Sequence, residues 1–400
     1  MEYRYLRMVD ADGNHNKDYV MVQDSARVFH AEYGRYGAKM MKRPYPMSSF
    51  WEKYNEKIRK GYKDITGLYM HKTIYDRMDA RYAPIPVESV AELVDFMLTR
   101  ANKLIRREYK TDIYHVTEEM LEEAQKQIDA LCQDSIQQFN RGLENLFFII
   151  PRRMKKVTDY LAEDQSDFTG IMEREQKLLD AMAAQVKTMT VPDGTEKRYD
   201  QTILEKNSIR ITPCTPEQTA RIKKFMGTES SFRLIRGYNV VNEKTEKTYD
   251  QFYEENHMSE KDVHLYYHGS LSENWWSILS KGVSINPNKK NDHPVKTAGS
   301  MFGNGIYLAN RFKKSFRYTD LGDIHPTDAG KGLVAVYKTC YRNPWDIYEW
   351  KSCYTQLTGH VVRQHGSDAV YAHKGKDLIN DEIIIYDDRQ LTIRYLLEVR

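Results

Sequence analysis

The pattern of hydrophobic and polar positions changes twice along this 400-residue chain. Near the N-terminus, EYRYLRMVD and YVMVQDSARVFHAEYGRYG alternate with a period of two and read as strands joined by polar turns. PMSSFWEKYNEKIRKGY then reads as a helix, with Ser48 or Ser49 as N-cap candidates and Gly61 as its stop. Residues 1–82 are therefore expected to form a small antiparallel sheet with one helix packed on it.

From residue 86 to about 190 the period becomes helical. Val90, Leu93, Val94, Met97, Ala101 and Leu104 follow i, i+3, i+4, i+7 spacing, and Leu121, Ala124, Ile128 and Leu131 repeat it. Thr117 can cap the second of these helices, where Glu118 and Glu119 complement the helix dipole. FNRGLENLFFIIP and GIMEREQKLLDAMAAQV supply two more helices, so an all-α bundle is expected.

TVPDGTEKRYDQ is a turn-rich break. Residues 198–400 then carry eight strand candidates, including VHLYYHGS, GIYLAN, GLVAVYKTCY, DEIIIYDD and TIRYLLEV. With few helical patterns between them, the sheet should be largely antiparallel. The fold class is α+β, in three domains: 1–82, 86–190 and 198–400.

Composition narrows the class. An apolar fraction of 40% with 29% charged residues belongs to a soluble globular protein, and no window reaches the ~18 uninterrupted apolar residues of a membrane helix. The first residues lack the apolar core of a signal peptide, so none is expected. Cys132, Cys214, Cys340 and Cys353 are scattered, which points to reduced thiols and no metal site. The net charge of +3 hides a basic stretch from Arg35 to Lys63, interleaved with aromatics such as Tyr33, Tyr36, Tyr45, Trp51 and Tyr54. That stretch is either a solvated helix face or a surface that tracks phosphates and stacks on bases.

GNG at Gly303, Asn304 and Gly305 invites a phosphate-loop reading, but no third glycine follows, and IYLA is itself a strand candidate. The glycines are expected to permit a tight turn and close backbone approach. Glu382 sits where LIND enters the apolar run IIIY, an awkward place for a solvated charge, although an ordinary strand-end glutamate also fits. A lone histidine such as His268 fits a satisfied core residue equally well.

Together, LYYHGSLSENWWSILSKGVSINP, GNGIYLANRFKKSFRY and LINDEIIIYDDRQLTIRYLLEV resemble the catalytic domain of the poly(ADP-ribose) polymerases, the diphtheria-toxin-like ADP-ribosyltransferases. The family's histidine, tyrosine and glutamate fall on His268, Tyr307 and Glu382. The helical middle resembles the family's regulatory helical domain. Tyr33, Gly34 and Arg35 stand where its WGR domain has Trp-Gly-Arg. The chain resembles the short, DNA-dependent members, with no zinc-finger array or BRCT domain seen.

The resemblance implies DNA-activated transfer of ADP-ribose from NAD⁺ to protein acceptors, the chain itself included. It also implies that His268 and Gly269 hold NAD⁺, Tyr307 and Tyr318 face the nicotinamide, and Ser315 bonds its carboxamide, with Ser270 and Asn274 on the adenosine side. Glu382 binds the ribose 2′-hydroxyl and helps activate the acceptor. Tyr33, Arg35 and Lys39 are the candidate contacts to broken double-stranded DNA. No metal is implied. The location implied is the nucleus of a eukaryote or the DNA-containing cytoplasm of a bacterium. Two positions depart from the family: Leu271 follows HGS where a basic residue is common, and Gln176 aligns with the helical domain's acid. The loop NPNKKNDHPVKTAGSM is the candidate acceptor loop. The alternatives are a mono-ADP-ribosyltransferase, and a DNA-binding module with a vestigial transferase fold. A secreted mono-ADP-ribosyl toxin is disfavoured by the absence of a signal.

Overall fold

The structure is a computed structural model that describes residues 2–69, 78–79, 81–109, 116–131, 135–191, 199–227, 232–283, 285 and 301–400. Cys132 and most of the candidate acceptor loop, residues 286–300, lie outside these. Backbone contacts divide the chain into two units, residues 1–81 with 104–197, and residues 82–103 with 198–400.

The first unit begins with β1 (Tyr3–Asp10), β2 (His15–Gln23), β3 (Val28–Arg35), β4 (Met41–Pro46), helix α1 (Phe50–Arg59) and β5 (Lys63–Asp64). These strands pair antiparallel in the order β4-β3-β2-β1-β5. Leu6, Tyr19, Met21, Phe29, Ala31 and Phe50 form the core between sheet and helix. Ser49 precedes α1 but caps nothing; its hydroxyl donates to the Pro46 carbonyl at 2.8 Å. Gly61 follows with φ of 89°, a conformation that favours glycine.

Four helices follow: α2 (Glu88–Glu108), α3 (Glu118–Asp129), α4 (Ile136–Ile149) and α5 (Asp167–Met189). Thr117 caps α3, its hydroxyl accepting from the Met120 amide at 3.1 Å, and Ser135 caps α4. The apolar faces of α3, α4 and α5, with the C-terminal end of α2, form one core with Leu104, Leu121, Phe139, Phe147 and Met182 at 6% exposure or less. Buried Arg152 donates to Glu175 at 2.6 Å and to Glu108 at 3.3 Å, tying α5 to the C-terminal end of α2.

Residues 104–197 share a unit with the β1–β5 sheet, and α2 up to residue 103 belongs with the C-terminal unit. Polar contacts along α2 explain the latter. Tyr238 donates its hydroxyl to the Ser89 carbonyl at 3.1 Å, and Arg100 pairs with Asp328 at 2.9 Å. Helical periodicity marks that a face will be buried without specifying the surface that covers it.

The second unit continues with β6 (Ile209–Pro213), α6 (Pro216–Met226), β7 (Leu234–Asn242), α7 (Glu243–Glu255), β8 (Val263–Ser270), α8 (Trp275–Lys281) and β9 (Ile306–Leu308). It closes with α9 (Phe312–Phe316), β10 (Gly332–Cys340), β11 (Pro344–Ile347), β12 (Ala369–Ala372), β13 (Glu382–Ile385) and β14 (Leu391–Val399). One sheet runs β8-β10-β14-β7-β6 and the other β9-β13-β12-β11. Among the described residues the pairs in these two sheets are antiparallel except β11 with β12. A bridge between Tyr267 and Ala309 joins the edges of the two sheets, and that junction positions the site.

Candidate active site

Strand β8 carries His268, Gly269 and Ser270 at its C-terminal end, on the open edge of its sheet. Tyr267 exchanges both backbone hydrogen bonds with Ala309, at 2.8 and 2.9 Å. Strand alternation therefore turns the N–H and C=O of Gly269, two residues on, toward that same edge and away from β10. His268 Nδ1 lies 3.1 Å from the Tyr307 carbonyl oxygen, and its ring meets Trp275 and Tyr337 edge-on. Trp275 Nε1 donates to the Ser270 carbonyl at 3.1 Å, while the Asn274 amide donates to the Ser270 hydroxyl at 3.0 Å. Ser270 and Asn274 thus form one polar corner beside His268.

Gly269 is glycine for a packing reason that the sequence did not disclose. A Cβ at this position would lie 1.8 Å from the carbonyl oxygen of Ser315 on α9. Ser315 itself is buried, and Tyr318, one turn further, is 44% exposed. Burial and the Glu382 carboxylate push the Tyr318 phenol above its ordinary pKa.

The GNG turn is also explained by packing. Gly303 has φ of +67°, and a Cβ there would meet the Leu357 carbonyl oxygen at 2.2 Å. A Cβ on Gly305 would lie 2.3 Å from Ile384 Cγ2. The turn is held by Tyr307, whose hydroxyl donates to the Gly303 carbonyl at 2.8 Å and accepts from the Phe302 amide at 3.0 Å. No helix opens after the second glycine, in keeping with the rejected phosphate loop.

Register brings Glu382 to the same place. Tyr307 pairs with Ile384 and Leu308 with Ile383, so the next step of the ladder sets Glu382 opposite Ala309. Ala309 is the residue bridged to Tyr267, directly before His268. The Glu382 carboxylate is bonded by the ammonium of Lys314, and each side chain is 13% exposed. Burial lowers the pKa of Lys314, and Glu382 opposes that shift. Lys314 is the site residue that sequence reading passed over; its only signal was a lysine directly before Ser315 in FKKSF.

The N-terminal candidates are placed differently from one another. The Arg35 guanidinium is committed inside the first unit, donating to the carbonyls of Asn14 at 2.9 Å, Met154 at 3.3 Å and Lys155 at 2.6 Å. Tyr33 stacks on Tyr19 with centroids 5.6 Å apart, and Lys39 is exposed. Around α1, cations sit over rings: Arg4 over the half-exposed Trp51 at 4.9 Å, Arg43 over Tyr45 at 5.4 Å. Gln176 exchanges two hydrogen bonds with Gln125, at 2.8 and 2.9 Å, inside the helical core.

Among the described residues no three His, Cys, Asp or Glu side chains are grouped to hold a metal, and no helix is long and apolar enough to cross a membrane.

Two mainly antiparallel sheets meet edge to edge, with His268, Tyr307 and Glu382 at the junction. Residues 218–329 match the family described as the poly(ADP-ribose) polymerase catalytic domain, a match that supports an ADP-ribosyltransferase. That span contains His268, Tyr307, Ser315 and Tyr318, while Glu382 lies beyond it. The chain is similar to a poly(ADP-ribose) polymerase-like protein of Invertebrate iridescent virus 6, with 26% identity over 165 residues, 40% of this chain and 83% of the viral one. It is 26% identical to poly(ADP-ribose) polymerase 1 of Gallus gallus over 229 residues, 49% of this chain and 21% of that one. With poly(ADP-ribose) polymerase 1 of Caenorhabditis elegans it shares 30% identity over 163 residues, 34% and 16% of the two chains.

Proposed function

We propose that the chain is an NAD⁺ ADP-ribosyltransferase that makes poly(ADP-ribose) on protein acceptors, itself included, and is activated by broken double-stranded DNA. The observation that carries the transferase reading is the convergence of His268, the open-edge amide of Gly269, Tyr307 and Glu382 at one sheet junction. An edge N–H and C=O from one residue suit a carboxamide, which needs one acceptor and one donor in a plane. Buried Ser315 offers a third partner, and the rings of Tyr307 and Tyr318 offer stacking to a pyridinium. On this reading NAD⁺ is the substrate. His268, with Ser270 and Asn274, holds its adenosine side.

In the reaction the bond between nicotinamide and ribose breaks, and its electron pair leaves on the ring, which becomes neutral. Positive charge develops on the ribose, as in glycoside hydrolysis, but the leaving group is already cationic and needs no general acid. One carboxylate suffices. Glu382 accepts from the ribose 2′-hydroxyl and takes the proton of an acceptor hydroxyl as its oxygen bonds to ribose. The same proton transfer extends a chain from the 2′-hydroxyl of an added unit, which is why retention of Glu382 favours polymer.

Residues 1–82 are read as a WGR-like DNA-binding domain, 86–190 as a helical regulatory domain and 198–400 as the catalytic domain. Basic and aromatic side chains around α1 and the exposed Lys39 support the first of these. DNA is read as favouring an arrangement open to NAD⁺, which requires a difference in affinity between two states. Incubation with labelled NAD⁺, with and without nicked DNA, followed by gel separation, tests each part. A DNA-dependent ladder is expected. One discrete shift would replace polymer with mono-transfer, equal labelling without DNA would remove the DNA dependence, and no label would remove the transferase reading.

A further inference from the structure

We propose that Asp320 is a positioning residue for the adenosine side of the site, and that Arg100 on α2 holds it in place. This rests on the reading of Ser270 and Asn274 as partners of NAD⁺. The polar corner they form depends on a single helical turn, Ser272–Asn274, between β8 and α8. The residue before that turn is Leu271, whose side chain has no oxygen to accept from the turn's first amides. Asp320, 48 positions further on, supplies the missing acceptor: its Oδ2 accepts from the Ser272 amide at 2.7 Å.

The corner is built from this turn. Asn274 is its last residue, and the Asn274 side-chain amide donates back to the Ser270 hydroxyl at 3.0 Å. Trp275 follows; its indole donates to the Ser270 carbonyl at 3.1 Å, and its ring meets His268 edge-on. A turn displaced by loss of Asp320 therefore carries Asn274 and Trp275 away from Ser270 and His268. The nicotinamide side is anchored differently. The Tyr318 amide donates to the Ser315 carbonyl at 3.2 Å, and the Thr319 amide and hydroxyl donate to the Phe316 carbonyl at 3.0 and 2.7 Å. None of these bonds uses the Asp320 side chain.

Asp320 is 1% exposed, a buried carboxylate that needs donors and a counter-charge. Its Oδ1 accepts from the Thr327 hydroxyl at 2.6 Å, and its backbone carbonyl accepts from the Thr327 amide at 2.9 Å, which closes residues 320–327 into a loop. Arg100 supplies the charge. Its Nη2 lies 3.5 Å from Asp320 Oδ1 and donates to the Thr327 hydroxyl at 3.1 Å, while its Nη1 donates to Asp328 at 2.9 Å. Arg100 and Asp320 lie in the same unit. The carboxylate thus joins the Ser272 turn, the 320–327 loop and α2, so a change at α2 reaches the adenosine corner through this one side chain.

The test uses the full chain as wild type, Asp320→Ala, Asp320→Asn and Arg100→Gln. Binding of two probes is measured by calorimetry: ADP-ribose, which carries the adenosine, and nicotinamide, which does not. Asp320→Ala should weaken ADP-ribose about tenfold, the worth of about one hydrogen bond, and leave nicotinamide within about twofold. Asp320→Asn keeps an acceptor for the Ser272 amide but loses the charge, and Arg100→Gln removes the counter-charge; each should weaken ADP-ribose about threefold. In turnover, KM for NAD⁺ should rise with kcat within about twofold, as for contacts remote from the bond that breaks. Hydrogen exchange in residues 270–275 should rise in each variant.

Equal weakening of both probes in folded Asp320→Asn and Arg100→Gln overturns the proposal, because it marks a general loss of structure. So does an unchanged ADP-ribose affinity in Asp320→Ala, or exchange in residues 270–275 that matches wild type. Should thermal unfolding show Asp320→Ala unfolded, the other two variants carry the same comparison. If wild type binds neither probe, the NAD⁺ reading fails, and hydrogen exchange still decides whether Asp320 holds the Ser272 turn.

Discussion

Gly269 and Ser315 are packed so closely that the position of a Cβ on the first lies 1.8 Å from the carbonyl oxygen of the second. The contact seats α9 against the end of β8, and it thereby places Ser315 beside Gly269. Gly269→Ala must push α9 away, and overpacking of this kind costs about 1–3 kcal/mol. A lowered melting temperature is expected, together with loss of NAD⁺ binding by calorimetry. A variant with unchanged melting and binding would show that the helix can move without consequence.

Glu382→Gln keeps a hydrogen-bond acceptor but cannot take a proton. NAD⁺ binding should persist while polymer is lost. The glutamine also leaves the buried Lys314 without its bonded carboxylate, so the titration midpoint of the Lys314 ammonium should fall further than the burial effect already takes it. Polymer of wild-type length and rate would remove Glu382 from the proposed role.

Arg35 and Lys39 should separate under mutation. Removing the Arg35 guanidinium strands carbonyls of Asn14, Met154 and Lys155, and Arg35→Ala is expected to lower stability by about 1–3 kcal/mol. Lys39→Ala should leave melting unchanged but reduce the salt dependence of DNA binding by about one phosphate contact. A salt titration and a melting curve on each variant check both outcomes. Equal effects on melting would contradict the separation.

The ion pairs of Asp328 predict an acid-side signature. Hydrogen bonds from Arg100 and Lys103 lower its carboxyl from 3.8 to about 2. A depressed folded-state pKa stabilises above the unfolded value and is lost as pH falls through the folded one. The advantage of wild type over Asp328→Asn should therefore be in place above 3.8 and vanish on acidification through about 2. Chemical unfolding across that range measures it; a constant gap would mean the pairs do not form in solution.

The sequence by itself determined most elements and the motif positions, because these depend on information within a short window. Alternation marked Val263–Ser270 and Gly332–Cys340 as strands, helical spacing and a threonine marked Glu118–Asp129, and failure of the third-glycine test removed the phosphate loop. The resemblance placed His268, Tyr307 and Glu382, which the structure brings to one junction. The strand Pro344–Ile347 was not anticipated, since a proline start and four residues carry little periodic signal.

Tertiary structure decided the partners of those residues. Lys314 and Glu382 are 68 positions apart, and Arg35 and Lys155 are 120 apart. Only the joined sheet edges and the packed sheet-and-helix unit bring such pairs within bonding distance. The same holds for α2, whose amphipathic pattern is continuous although its two ends belong to different units. A local pattern states that a side chain will be buried or a turn will be tight. Which charge it then faces is set by long-range packing, and at this site that choice gives Glu382 its lysine.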